Sequence, residues 1–205
     1  DLHLSLRRQR QMCKETAVLD VGCGIGRFLF LLKKEGFSPY GIEIAFSPVE
    51  YLKTQGFKVF QGEVFDFLKL AYTKNNLLLH LLEHLPDPLK VLRYLSKKFP
   101  ESYLILSIPS PKRWKRKKDK GDYPPHHLTR WGEKSLRKLF NKTGYKVIKI
   151  IYPKLTAEDI KNSSFDKGFK IGKFSLPCLL YAFFLNLLGY RAYSLVIIGY
   201  KLFFY

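Results

Sequence analysis

Residues 18–29 read VLDVGCGIGRFL. An apolar run carrying Asp20 leads into glycines at alternate positions, Gly22, Gly24 and Gly26, and then a basic and apolar run begins with Arg27. Glycine has no Cβ and takes positive φ at little cost, so this much bare backbone between a strand and a helix is suited to a ligand that lies against the main chain. Strand, glycine turn and helix start together read as the nucleotide-binding end of an open α/β sheet.

The spacing narrows the ligand. A dinucleotide fold places its glycines as G-x-G-x-x-G, whereas Gly22-Cys23-Gly24-Ile25-Gly26 is G-x-G-x-G. The next apolar run, Tyr40-Gly41-Ile42, ends in Glu43. Glu43 stands about 20 residues past the first glycine, the place from which a carboxylate reaches ribose hydroxyls.

Outward from this stretch, strands and helices alternate. Strands are expected at 17–22, 39–43, 58–61, 76–80, 103–108, 145–152 and 193–202, and helices at 27–35, 48–55, 88–98 and 131–142. Gly36 and Gly56 close two of the helices, and Pro88 opens a third. The run LLLHLL around residue 80 fits helix or strand by periodicity alone. The alternation predicts a mostly parallel sheet with helices on both faces. Residues 1–205 read as a single domain with an insertion at 153–190.

The chain carries 36 Lys and Arg against 17 Asp and Glu, a net charge of +19. Such a field favours nucleic acid, anionic lipid or an anionic small substrate; a Lys-rich composition without functional meaning is the plain alternative. Cys13, Cys23 and Cys178 are odd in number and widely spaced, so neither a disulfide framework nor a zinc site is expected, and a reduced cytoplasmic setting fits. No metal is expected at the active site. Residues 1–16 do not read as a secretory leader, and a start at Asp1 rather than Met suggests a trimmed natural terminus.

Two segments interrupt the pattern. Lys112–Lys120, KRWKRKKDK, is either a solvated connection or an anion-gripping lid. Phe174–Tyr190, FSLPCLLYAFFLNLLGY, is shorter than the ~20 residues of a membrane span. It reads as core or dimer packing, or as an interfacial helix with Lys161, Lys167, Lys170 and Lys173 meeting anionic headgroups. Peripheral membrane contact through 161–190 is therefore an expectation, beside a monomer or homodimer.

Three stretches together resemble the class I S-adenosylmethionine-dependent methyltransferases: VLDVGCGIGRFL; HLLEHLPDPLKVL at 80–92; and PPHHLTRWGEKSLRKLFNKTGYKV at 124–147. The second and third are similar to the small-molecule branch, near the ubiquinone-biosynthesis-type methyltransferases. The resemblance covers about residues 15–152 and the last strand. It implies a Rossmann-like seven-stranded sheet of order 3-2-1-4-5-7-6 with the last strand antiparallel, and S-adenosylmethionine as cofactor. Carried over by position, it implies that Gly22, Cys23, Gly24 and Gly26 form the turn beside the methionine part of the cofactor. Asp20 orients that turn and the amino group, Glu43 clamps the ribose and Ile44 packs on the adenine. Glu63 and Val64 serve the adenine edge, and His80 and Leu81 lie near the methionine tail. Two departures stand out: strand four follows Asn75-Asn76 where relatives carry a Phe-Asp pair, and the N-terminal capping segment is short.

A hydroxyl acceptor needs a base, and imidazole is suited to that near neutral pH. His127, His126 and His80 are the candidate catalytic residues. His84 is a weaker one, since it can simply bond nearby backbone. His126, His127, Arg130 and Trp131, behind two prolines expected to fix an extended turn, are candidate substrate contacts, with Arg130 placed to hold an acidic group. The expected reaction is methyl transfer to oxygen or nitrogen of a small-molecule, saccharide or lipid-linked acceptor. RNA or protein methylation through the basic run is one alternative. A non-catalytic cofactor-binding module is another.

Overall fold

The computed structural model describes residues 17–66, 73, 75–109, 123–151 and 194–201. They form seven strands: β1 Ala17–Val21, β2 Ser38–Glu43, β3 Lys58–Gln61, β4 Asn75–Leu79, β5 Tyr103–Pro109, β6 Tyr145–Ile151 and β7 Ser194–Lys201. The helices are α1 Arg27–Lys34, α2 Phe46–Thr54, α3 Pro88–Lys98 and α4 Glu133–Thr143, with a short 3-10 turn at Leu82–His84. The sheet order is β3-β2-β1-β4-β5-β7-β6. Strands β1 to β5 pair in parallel, and β7 runs antiparallel to both β5 and β6. This is the expected order and sense.

Successive strand residues point to opposite faces, and the core divides accordingly. Leu19, Val21, Leu78, Leu104, Leu106 and Ile108 pack on one face with Val91, Leu92 and Leu95 of α3 and Leu136, Leu139 and Phe140 of α4. Val18, Leu77, Ile105 and Ile198 take the other face, with Phe28 and Leu32 of α1. Burial on both faces is why β4 and β5 read as continuous apolar runs rather than alternating ones. A third cluster of Cys23, Leu29, Leu52 and Phe57 ties the glycine turn to α1 and α2.

Element ends moved by a residue or two for identifiable reasons. Strand β4 starts at Asn75, not Asn76, and the departure noted there has a structural account. Asn75 and Asn76 are both fully buried. Asn75 Nδ2 donates to the Ala17 carbonyl of β1 (3.3 Å), and Asn76 Nδ2 reaches the Tyr103 carbonyl of β5 (3.5 Å). Asn76 Oδ1 accepts from Thr73 Oγ1 (2.9 Å). The amides thus cross-link three strands at their amino ends, where a carboxylate would lack the donors. Helix α4 begins at Glu133 rather than Trp131, because Gly132 is extended (φ −105, ψ 170) and Ser135 Oγ caps it, accepting from Gly132 N and donating to Gly132 O. Helix α2 begins two residues before Pro48.

The basic run 112–120, the segment 153–190 with its lysines, and Cys13 and Cys178 lie outside the described residues. Among the described residues no helix is long and apolar enough to cross a membrane.

Candidate active site

The strand order reverses between β1 and β4, and in open α/β sheets ligands sit beyond the carboxyl ends of the strands at that point. Four loops meet there: Gly22–Gly26 after β1, Ile44–Ala45 after β2, Gly62–Asp66 after β3, and His80–His84 after β4.

The glycine turn is pinned to β2, since Gly22 N (2.8 Å) and Cys23 N (3.1 Å) both donate to the Ile42 carbonyl. All three glycines have positive φ, but they serve different needs. A Cβ on Gly22 would meet Leu81 Cδ1 at 2.8 Å, and one on Gly26 would meet Leu52 Cδ2 at 2.3 Å, so these two positions make room for protein side chains. Gly24 (φ +53) has nothing within 4 Å of its Cβ position among the described residues. It is the open one, and the bare backbone suited to a ligand is concentrated there.

Glu43, at the end of β2, holds this turn. Its Oε2 accepts from Gly24 N (2.8 Å) and its Oε1 from Ala45 N (2.9 Å). Each oxygen keeps a second lone pair for a ribose hydroxyl. The two amides fix the carboxylate before any ligand arrives, which lowers the ordering cost of binding.

Asp20, inside β1, is 2% exposed and its Oδ1 meets no hydrogen-bond donor among the described residues. Burial, and then the Glu43 charge, push its carboxyl up to about 8. A buried acid in this state favours a cationic partner. Cys23 is a buried free thiol pushed up to about 12, first by burial and then by Asp20 and Glu43. It is therefore a packing residue: its Sγ lies where a Cβ on Gly41 would be, 2.7 Å away.

The other expected cofactor residues are placed as follows. Ile44 is 67% exposed, an apolar surface next to Glu43. Glu63 is exposed, and its amide donates to Asp66 Oδ2 (3.1 Å). Val64 has its side chain in the main core, so what it can offer a ligand is main chain. Leu81 covers Gly22, joining the end of β4 to the glycine turn. The half-buried His80 has φ +53, a conformation that non-glycine residues adopt at a cost on the order of 1 kcal/mol and that clusters at functional sites. Its amide donates to the Ser107 carbonyl (2.9 Å) and its Nε2 lies 3.2 Å from Ser107 Oγ.

These features fit S-adenosylmethionine. Asp20, with no donor to its Oδ1 among the described residues, would suit a cationic amino group, open Gly24 a chain lying on the backbone, the pre-set Glu43 carboxylate two hydroxyls, and exposed Ile44 a flat base.

Segment 123–131 docks onto the 3-10 turn: Leu128 N (2.8 Å) and Thr129 N (3.2 Å) both donate to the Glu83 carbonyl. Its start is a tight turn rather than the expected extended one, because His126 N and His127 N both donate back to the Tyr123 carbonyl; the Pro124–Pro125 bond is cis. His127 is thereby brought against His84, ring centroids 4.8 Å apart and edge to face. His126 is exposed, and it is its carbonyl that bonds His84 Nδ1 (2.6 Å), the backbone bond anticipated for His84. Arg130 stacks on Tyr123, Cζ 4.0 Å from the ring centroid, and Trp131 Nε1 donates to Thr129 Oγ1 (2.7 Å). Glu83, Ile108, Pro109, His127, Thr129, Arg130 and Trp131 line a recess at the carboxyl end of β5.

Sequence reasoning missed Glu83. It is 2% exposed, its Oε1 lies 3.4 Å from His80 Nδ1, and neither carboxylate oxygen has a hydrogen-bonding partner among the described residues. The adjacent Glu83-His84 pair was visible, but its meeting with His127 depends on the fold.

No curated protein matches the chain. Among solved structures, a SAM-dependent methyltransferase from Archaeoglobus fulgidus is 23% identical, with 97% of this chain and 93% of that one covered at a TM-score of 0.61. A putative methyltransferase of Haloferax volcanii, solved with the Trm112 methyltransferase activator, is 16% identical over 93% and 84% at 0.66. Magnesium protoporphyrin IX methyltransferase from Synechocystis PCC 6803 is 16% identical over 98% and 77% at 0.56. These likenesses agree with the sheet order found here. Residues 5–150 match the methyltransferase domain family, and with the site just described the chain belongs to that family as a class I S-adenosylmethionine-dependent methyltransferase.

Proposed function

We propose that the protein methylates oxygen or nitrogen of a small-molecule, saccharide or lipid-linked acceptor, bound against the side chains at the carboxyl end of β5. The observation that carries this reading is the grouping of an imidazole, a guanidinium and an indole (His127, Arg130 and Trp131) around a narrow recess at the carboxyl end of β5, closed to a water-sized molecule as it stands, so that an acceptor lies over its rim.

Bound S-adenosylmethionine supplies an electrophilic methyl on a sulfonium, and the protein supplies position and field. Glu43 holds the ribose hydroxyls with the lone pairs its amide bonds leave free. Asp20 holds positive charge in a dry setting. Leu81 walls the glycine turn on the side of β4. On the acceptor side His127 takes the proton of a hydroxyl or amine, Arg130 pairs with an acidic group, and Trp131 offers an apolar face. His126, with its ring exposed, contacts only the outer part of an acceptor. Alignment of the reacting atoms carries much of the rate in such a displacement.

A net charge of +19 favours a second reading, in which RNA or protein is the acceptor and 112–120 is the grip. The test incubates the protein with cofactor carrying a tritiated methyl and a native lysate, then sorts the label. Label in lipid or small-molecule fractions supports the first reading. Label in RNA or protein replaces it with the second, and cofactor binding with no label in any fraction supports a non-catalytic module.

A further inference from the structure

The carboxylate of Glu83 is the least compensated group in the described residues outside the cofactor site. It is 2% exposed, and among the described residues no donor forms a hydrogen bond to either oxygen. The His80 Nδ1 contact at 3.4 Å is within ion-pair reach but poorly aligned. A buried carboxylate left in that condition costs several kcal/mol, so folds place such groups against a cation or a metal.

The surroundings offer the rest of a ligand set. Glu83, His84 and His127 each present one ligand-type atom, and the three atoms lie within 4.8 Å of one another. Ligands about 2.1 Å from one tetrahedral ion lie about 3.4 Å apart, so closure draws the atoms together by up to about 1.4 Å. His84 is already set for the role. The His126 carbonyl, 2.6 Å from Nδ1, can only accept, so Nδ1 carries the proton and Nε2 holds its lone pair. A backbone carbonyl fixing the tautomer through the far ring nitrogen is the usual support of a metal-binding histidine. The two amides that clamp the Glu83 carbonyl hold segment 123–131, and with it His127, in register with the 3-10 turn.

We propose that Glu83, His84 and His127 bind one divalent transition-metal ion of the zinc class. Two imidazoles and one carboxylate suit such an ion and leave coordination positions open. Mg²⁺, which prefers an all-oxygen octahedron, is a poor match. Glu83 and His127 of this set also line the recess of Thr129, Arg130 and Trp131. With the ion bound, an acceptor oxygen would meet it there and lose its proton more readily, and His127 would act as a ligand in place of the proton acceptor named above; this last step rests on the acceptor site proposed above, whereas metal binding does not.

The test titrates metal-stripped full-length protein with Co²⁺ and follows its visible absorption, with Zn²⁺ as competitor. The proposal expects saturation at one equivalent, reversal by Zn²⁺, and affinity lowered at least about 100-fold in Glu83→Gln and in His127→Asn. His126→Ala keeps the affinity, since that residue contributes its carbonyl. Because Glu83 is buried and its variant can fail to fold, His127→Asn, on a partly exposed segment, carries the decision alone if needed. Absence of saturable binding, or wild-type affinity in His127→Asn, overturns the site. Calorimetry of cofactor binding on the same samples reports on the cofactor site separately, so failure of one reading is not mistaken for failure of the other.

Discussion

Around Glu43 the structure offers bare main chain beside a carboxylate held by two amides, whereas around Glu83 it offers mainly side chains. At the first, a glycine turn, a strand-end carboxylate and two amide hydrogen bonds are in place before any ligand binds. At the second, His84 and the segment bearing His127 meet across 42 residues of sequence, and a carboxylate is buried with no hydrogen-bond donor among the described residues. The difference separates what a fold family shares from what an individual enzyme selects. A common cofactor can be read by bare backbone together with a few carboxylates at fixed strand positions, such as Asp20 and Glu43. An acceptor must be read by side chains, which are free to vary.

The sharpest way to break this comparison at the cofactor end is to put methyl groups on its glycines. Gly26→Ala sets a Cβ 2.3 Å from fully buried Leu52 at a positive φ, and about 3 kcal/mol of stability should be lost in thermal unfolding. Gly24→Ala, open at the same turn, should cost only about 1–2 kcal/mol of stability, the strain of its φ, while losing more in cofactor affinity. If the two variants unfold alike, their separate roles are wrong.

Asp20 gives the next largest effect. Its folded value, about 8, lies above the ordinary 3.8. The stability it contributes is therefore fully present below pH 3.8 and is lost as pH rises through about 8. Asp20→Asn should flatten that decline in melting temperature. The amino group of the cofactor favours the ionised acid, so binding expels a proton below about pH 8, and affinity should climb by up to about tenfold per pH unit toward that value. Calorimetry in buffers of different ionisation enthalpy checks the proton release, and Asp20→Asn should abolish it.

A smaller effect sharpens the acceptor end. Thr129→Ala removes the acceptor of Trp131 Nε1 and should cost about 1 kcal/mol of stability. The loosened indole should raise KM for the acceptor and leave cofactor affinity alone.

How much of this was legible in the sequence follows the same division. The strands, the glycine turn and Glu43 were readable because each rests on a local requirement: apolar patterning, positive φ, a strand end, a fixed distance along the chain; the order of the strands followed only from the family resemblance. Helix α4 began two residues late because Ser135 capping Gly132 is a local bond that apolar periodicity does not report. Asn75 and Asn76 looked like a defect until the carbonyls of Ala17 and Tyr103, brought in by neighbouring strands, gave them partners. Glu83 was passed over because a glutamate is ordinarily solvated; segment 123–131 docks on it through the amides of Leu128 and Thr129. His126 and His127 were indistinguishable in sequence, and the turn at Tyr123 separates them, leaving one ring outside and bringing the other in.

The most direct test of the two-ended account is a paired measurement on Glu43→Ala and His127→Ala, with cofactor affinity by calorimetry and methyl transfer by tritium release into acceptor. The account predicts that Glu43→Ala loses about 100-fold or more in cofactor affinity, the worth of two charge-assisted hydrogen bonds. It predicts that His127→Ala binds cofactor as the wild type does and transfers little or no methyl. Wild-type cofactor affinity in Glu43→Ala, or unchanged transfer in His127→Ala, contradicts it.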